Sequence, residues 1–279
     1  MTECADRPLP WVIVGYGRVG QALCLLADRL EIPIRATWNR TEDAARNAAV
    51  PSPNPTWGSL PAALTDSFDR PAIIWLTVVD DAIEPVFDDI ADDVADGSVI
   101  VHTSGSHSSA NLTESTDLSV ASLHPLQAIS DPVAAVERFS RSFWTIEGDD
   151  RAVGIIENFV APAGIDPIRI DPEAKTLDHA AAVMAANLLV SLLDASIAVA
   201  GAADIDESTA RQMLVELAGS SLDNLSTSVP AEALTGPAAR GDLETIDRHR
   251  RALEELSDDS LRQIYDVLTD RALDKLTTD

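Results

Sequence analysis

Lysine is nearly missing from this chain: among 20 basic residues only Lys175 and Lys275 are lysines, and 46 acids leave a net charge of −26 over 279 residues. So acidic a surface excludes a polyanion such as nucleic acid as its general ligand, while leaving room for local basic pockets. Cysteine is as scarce. Cys4 and Cys24 offer neither a disulfide framework nor metal-ligand spacing, so no metal is expected and a reducing cytoplasm is the default setting. The opening "MTECADRPLP" lacks the basic and apolar regions of a signal peptide. Long hydrophobic runs are limited to "AAAVMAANLLVSLLDASIAVAGA", residues 180 to 202, which carries Asn187 and Asp194 and has no basic or aromatic flank. That pattern points away from a membrane and toward a buried helix in a soluble domain.

The chain has 46% hydrophobic residues and the length for one large domain or two ordinary ones. Its acids are spread along the whole sequence. Two readings of that spread stand: adaptation to high salt, where screening relieves self-repulsion, and an ordinary acidic protein from a GC-rich genome.

The first half alternates strands and helices. Residues 11 to 14 form a short apolar run, followed by Gly15, Gly17 and Gly20 in "GYGRVG", and Val19, Ala22, Leu23, Leu26 and Leu30 then recur at helical spacing. A second run, "IPIRATW", ends at Asn39. Between a strand and a helix, with a further strand at the expected distance, the glycine triplet is the fingerprint of a dinucleotide site. The first glycine allows the tight turn, the second lets a pyrophosphate approach the backbone, and the third lets helix and strand pack closely. Arg18 and Val19 lie within the triplet, where the helix N-terminus presents amides to phosphate.

An NAD site places an acid after the second strand to hold the ribose 2′-hydroxyl. This chain has Asn39, Arg40 and Thr41 there. No carboxylate repels a 2′-phosphate and Arg40 can pair with it, so NADP(H) is expected over NAD(H).

Further strands are read in "AIIWLTVVDD", "SVIVHTSGS", "LSVASLHPLQ" and "SFWTIEGD", with helices at "EPVFDDIADDVA" and "DPVAAVERF". Ligands of open α/β sheets sit beyond the carboxyl ends of the strands. Val79, Asp80, Thr103, Ser104, Gly105 and His124 fall at such ends. Val79, Asp80 and Thr103 are candidates for the cofactor, Ser104 and Gly105 for the substrate, and His124 for catalysis.

From Asp171 the pattern becomes helical, giving domains 1–170 and 171–279. A long apolar helix to about Gly201 is followed by helices expected at 206 to 228, 242 to 256 and 258 to 276. Lys175, His179 and Asn187 share one sector of the first of these. Near a nicotinamide, a lysine and an asparagine could protonate or polarise a carbonyl during hydride transfer. In "ALTGPAARGD", Asp242 is placed to cap the next helix and Arg240 is a candidate anion ligand for the substrate.

Taken together, "GYGRVG", "NRT", "HTSGS", "SLHPLQ", the helix bearing Lys175, His179 and Asn187, and "LTGPAARGD" resemble a family of Rossmann-like proteins whose C-terminal helical domain has no assigned function. That family lies in the 6-phosphogluconate dehydrogenase-like superfamily, with ketopantoate reductase, pyrroline-5-carboxylate reductase, 3-hydroxyisobutyrate dehydrogenase and prephenate dehydrogenase as distant relatives. The resemblance implies an α/β fold with an N-terminal Rossmann NAD(P)-binding domain and a C-terminal all-helical 6-phosphogluconate dehydrogenase-like domain that forms a homodimer. It implies Lys175 and Asn187 as the catalytic pair and His124, before Pro125, as a contact to a substrate hydroxyl. Where the wider family has an aromatic residue before His179, this chain has Asp178.

Two function classes follow. One is an NADP(H)-dependent oxidoreductase moving a hydride to or from a small, anionic carbonyl, hydroxy or imine metabolite; the other is a dinucleotide-binding sensor or assembly protein that turns nothing over. If the acidity is a salt adaptation, the melting temperature rises markedly between dilute buffer and molar KCl. A flat or falling curve gives the charge another origin.

Overall fold

The computed structural model describes residues 8–113 and 118–275, so Cys4 and most of the N-terminal stretch considered above lie outside the described residues. The chain divides into two compact units, one ending at Ala182 and the other beginning at Val183.

The first unit is built on one eight-stranded sheet. Its strands are β1 (Trp11–Val14), β2 (Ile34–Asn39), β3 (Pro55–Trp57), β4 (Ile73–Leu76), β5 (Val99–His102), β6 (Ser119–Pro125), β7 (Trp144–Gly148) and β8 (Ile168–Arg169), in the order β3-β2-β1-β4-β5-β6-β7-β8. Strands β1 to β6 run parallel; β7 pairs antiparallel with β6, and β8 is parallel to β7. The runs WVIV, IIWL and VIVH are buried at every position, as strands covered on both faces must be. One face packs Trp11, Ile13, Trp75, Val101 and Leu123 beneath the helix Arg18–Arg29; the other packs Val12, Val14, Ile74, Ile100 and Val120 beneath the helix Ile83–Ile90.

Strands β3 and β8 and the helix Asp150–Val160 are among the elements that lie outside the expectations from sequence. Strands β3 and β8 have three and two residues, too short for any alternation to register. The helix Asp150–Val160 is different, for Asp149 caps it by accepting from the Ala152 amide and Ala152, Val153, Ile156 and Val160 form its buried face.

The second unit consists of helices. Glu207–Thr227, Leu243–Glu254 and Asp259–Lys275 fall where periodicity places them, and Asp242 accepts from the Thr245 amide as the cap of the second of these, but the single helix expected from Asp171 to about Gly201 is two, Lys175–Ala185 and Asn187–Ala202. Another expectation is corrected. The helix Asn187–Ala202 is not buried: none of its residues is, and the apolar window of the run Pro172–Ala202, which is long enough to cross a membrane, is 0% buried. Periodicity identifies an apolar helix but not its cover. Glu207–Thr227 packs along it and leaves Leu188 and Val190 exposed.

Candidate active site

The glycine loop after β1 has the shape its spacing requires. Gly15 sits at φ +98°, and a Cβ there would lie 2.7 Å from the Thr77 carbonyl carbon. A Cβ on Gly20 would lie 2.6 Å from the Gly15 carbonyl oxygen, so helix and strand approach more closely than a side chain permits. A Cβ on Gly17, by contrast, would meet nothing within 4 Å beyond its own chain neighbours and helix backbone. Gly17 also caps the helix Arg18–Arg29 without a side-chain hydrogen bond, which leaves first-turn amides open to an anion. This cradle fits a pyrophosphate. The Asn39 Oδ1 accepts from the Tyr16 amide at 3.1 Å, tying the end of β2 to the loop, and Thr41 caps the next turn by accepting from the Ala44 amide. Arg18 and Arg40 are exposed, Val19 is half-buried, and Val79 at the β4 exit is 75% exposed.

A second loop, after β5, carries Thr103 to His107. The Ser104 hydroxyl accepts from the Ser106 and His107 amides, both at 3.1 Å, which closes the turn. Ser106 Oγ then donates to Asp80 Oδ2 at 2.8 Å, and His107 Nδ1 stands 3.6 Å from the same oxygen. Burial works to raise the Asp80 carboxyl, but the Ser106 and Ser104 hydroxyls and the nearby His107 and His179 rings outweigh it and hold the group below the usual carboxylate range.

Gly105 in this turn meets two histidines. A Cβ on it would lie 2.7 Å from His124 Cε1 and 2.8 Å from His124 Nε2, and would collide with His179 Nδ1. The two rings meet edge to face with centroids 5.6 Å apart. Their Nδ1 atoms are shielded from solvent, with no hydrogen-bond partner among the described residues. Burial, reinforced by the Lys175 charge, lowers His124 to about 4, so the ring is neutral at pH 7.

Beneath the histidines lies a row of polar side chains that the sequence reading did not identify. The β6 and β7 pairs Ser122↔Glu147 and His124↔Thr145 put four polar residues on one face of the hairpin, while Leu123 and Ile146 join the core on the other. His102, the β5 neighbour of Ser122, is fully buried with both ring nitrogens unpartnered, and burial pushes it down to about 3. The alternation S-L-H and T-I-E was the available signal.

Lys175 closes this row. Its side chain is 1% exposed, its ammonium donates to Ser122 Oγ at 2.6 Å, and it stands 3.5 Å from Glu147 Oε1, whose side chain is 0% exposed. The Ser109 amide and hydroxyl donate to the two Glu147 oxygens at 2.9 and 2.7 Å. Burial lowers Lys175 while Glu147 opposes the shift. The lysine is thus held within the protein, not presented to an entering molecule.

Of the residues singled out from sequence, Asp80, Ser104, Gly105, His124, Lys175 and His179 come together in the first unit. Thr103 is half-buried in the same loop. Asn187, first residue of its helix, and Arg240, after the short helix Gly236–Ala239, are exposed residues of the second unit. Among the described residues no group of three His, Cys, Asp or Glu could hold a metal ion.

Removing one partner of a buried ion pair strands the other charge. Lys175→Met should therefore cost about 3–5 kcal/mol of stability, read as a lower urea midpoint, and adding Glu147→Gln should recover part of the loss. An unchanged midpoint for Lys175→Met contradicts the buried pair.

Comparison with known proteins places this architecture. Residues 142–272 match the model of DUF2520, a domain of unknown function. No curated protein sequence matches the chain. Among solved structures, the chain is similar to a candidate NADP oxidoreductase from Bacteroides fragilis, with a TM-score of 0.76, 20% identity, and coverage of 96% of this chain and 99% of that one. The Thermotoga maritima protein TM1727 gives a TM-score of 0.73 at 25% identity, over 95% and 97% of the two chains. Pyrroline carboxylate reductase from Plasmodium falciparum, solved with NADP bound, gives 0.61 at 10% identity over 96% and 98%. A Rossmann-like N-terminal domain followed by a helical region is the fold these structures share, and this chain has that fold, with residues 142–272 similar to DUF2520.

Proposed function

We propose that the protein is an NADP(H)-dependent oxidoreductase acting on the C=O or C=N bond, or the corresponding alcohol or amine, of a small metabolite. The observation that carries this reading is a juxtaposition at the carboxyl ends of parallel strands. There the Gly15–Gly20 cradle, open only at Gly17, stands two strands away from the turn that packs Gly105 against His124 and His179. The first feature suits a pyrophosphate and the second offers proton-transfer groups.

In this reading Gly15, Gly17, Arg18, Val19 and Gly20 hold the diphosphate, Asn39, Arg40 and Thr41 the adenosine end, and Val79, Asp80 and Thr103 the remainder of the cofactor. A bound dinucleotide supplies or accepts the hydride. His124 and His179 exchange protons with substrate, and Ser104 and Gly105 supply the wall against which it rests. Lys175 acts through Ser122 and Glu147 as a positioning residue.

The exposed helix Asn187–Ala202 supports a homodimer formed through the helical unit. It carries a single charge, Asp194, in a chain of net charge −26, so it is a face on which two copies can meet without strong mutual repulsion. Light scattering that gives a monomer at micromolar concentration in molar KCl counts against the dimer.

Oxidation of NADPH in the presence of small ketones, 2-oxo acids and imines, in dilute and molar salt, tests the activity. Binding without turnover of any of them favours a sensor. Arg40→Ala should cost about 1.5–3 kcal/mol of NADPH affinity, the range for a charged hydrogen bond, and little NADH affinity. Equal losses for both cofactors in a fluorescence titration remove Arg40 from the 2′-phosphate.

A further inference from the structure

The charges around His124 and His179 are unbalanced. Three carboxylates, Asp80, Asp178 and Glu147, act on this cluster, and Lys175 is the ammonium whose field reaches His102 and His124. That ammonium is buried against Glu147, which cancels it at short range. Asp80 and Asp178 are left. Asp80 is 46% exposed and bonded to Ser106, next to Gly105. The Asp178 Oδ2 accepts from Thr145 Oγ1 at 3.0 Å, and Thr145 lies directly across the hairpin from His124.

The site also holds unused hydrogen-bonding capacity. The His124 and His179 rings leave Nδ1 shielded and unpartnered, and His102 below them is fully buried with both nitrogens unpartnered. Buried polar atoms of this kind need a partner. Carboxylates only accept, while each neutral imidazole offers one donor and one acceptor nitrogen, so the rings can serve a ligand of either kind and the carboxylates decide. A ligand that brings positive charge and N–H donors suits Asp80 and Asp178, whereas a carboxylate brings more negative charge.

We propose that the site formed by Gly105, His124 and His179 takes a cationic nitrogen substrate, a protonated amine or an iminium lacking a carboxylate, and that Asp80 and Asp178 select it. This rests on the hydride-transfer reading above and replaces the anionic metabolite expected from sequence. The chemistry is consistent. Hydride addition from the dinucleotide to an iminium carbon moves the C=N pair onto nitrogen and yields a neutral amine, a step that consumes no proton. In the reverse direction a neutral histidine takes the proton of the ammonium, freeing the nitrogen pair that drives hydride loss.

Matched ligands test the charge preference. The protein saturated with NADP+ is titrated calorimetrically with pyrrolidine and with proline, which has the same ring plus a carboxylate, and NADPH oxidation is followed with 1-pyrroline against 1-pyrroline-5-carboxylate and pyruvate. The expected result is at least about tenfold tighter binding of pyrrolidine, and turnover of 1-pyrroline in preference to both anions. Asp178→Asn, which keeps an acceptor for Thr145, and Asp80→Asn, which keeps one for Ser106, should each reduce that preference about tenfold, the order of a single charge-to-charge attraction in a partly solvated site. Melting curves of both variants confirm that they fold. A preference for proline, 1-pyrroline-5-carboxylate or pyruvate, or a preference unmoved in both variants, overturns the proposal and leaves hydride transfer standing. No response to any of these ligands while NADPH still binds also overturns it, and failure to bind NADPH removes the cofactor reading as well.

Discussion

The buried pair of Lys175 and Glu147 is the constraint on which the candidate site depends. Two charges withdrawn from water are tolerated only if each is paired and its remaining hydrogen-bonding capacity is used. Here the Ser109 amide and hydroxyl both donate to Glu147, and Ser122 Oγ accepts a hydrogen bond from the Lys175 ammonium. The pair thereby joins the segment after β5, strand β6, strand β7 and the first turn of the helix Lys175–Ala185. His179 stands one turn further along that helix, on the same face as Lys175, and this is what seats its ring against Gly105 beside His124.

That arrangement also requires the reversal of β7. Glu147 and Thr145 face the same side as Ser122 and His124 because β6 and β7 form an antiparallel pair in this register. A shift of one residue would send both polar side chains into the core occupied by Leu123 and Ile146 and bring those apolar residues to the site. Gly148, at the end of β7, fits the same geometry, since a Cβ there would meet the Ala121 Cα at 2.6 Å.

Much of this was legible in the sequence, and the exceptions have physical causes. The glycine cradle, strands β1, β2 and β4 to β7, and the helices of the second unit after Ala202 announce themselves through local spacing and periodicity. Asp80, Gly105, His124, Lys175 and His179 were identifiable as chemistry-bearing residues at strand ends or on a helix. Lys175 could not be recognised as buried, because its partner Glu147 lies 28 positions away (175 − 147) on a strand whose direction no local signal specifies. Strands β3 and β8 are too short to display a pattern. The exposure of the helix Asn187–Ala202 was hidden for the opposite reason: its apolar signal is strong, but an apolar face says nothing about whether its cover comes from its own chain.

The scarcity of lysine bears on how so acidic a chain could hold an anionic cofactor. At the glycine loop the positive potential comes from backbone amides and the end of a helix, groups whose charge does not depend on a side chain and whose position is fixed by Gly15 and Gly20. Far-field repulsion from a net charge of −26 weakens over a Debye length, which is about 10 Å at 0.1 M salt and about 3 Å at 1 M. Contacts between amide and phosphate act at hydrogen-bond distance, inside that length even in molar salt. Rising salt therefore removes the repulsion opposing an anion before it removes the contacts that would hold one there.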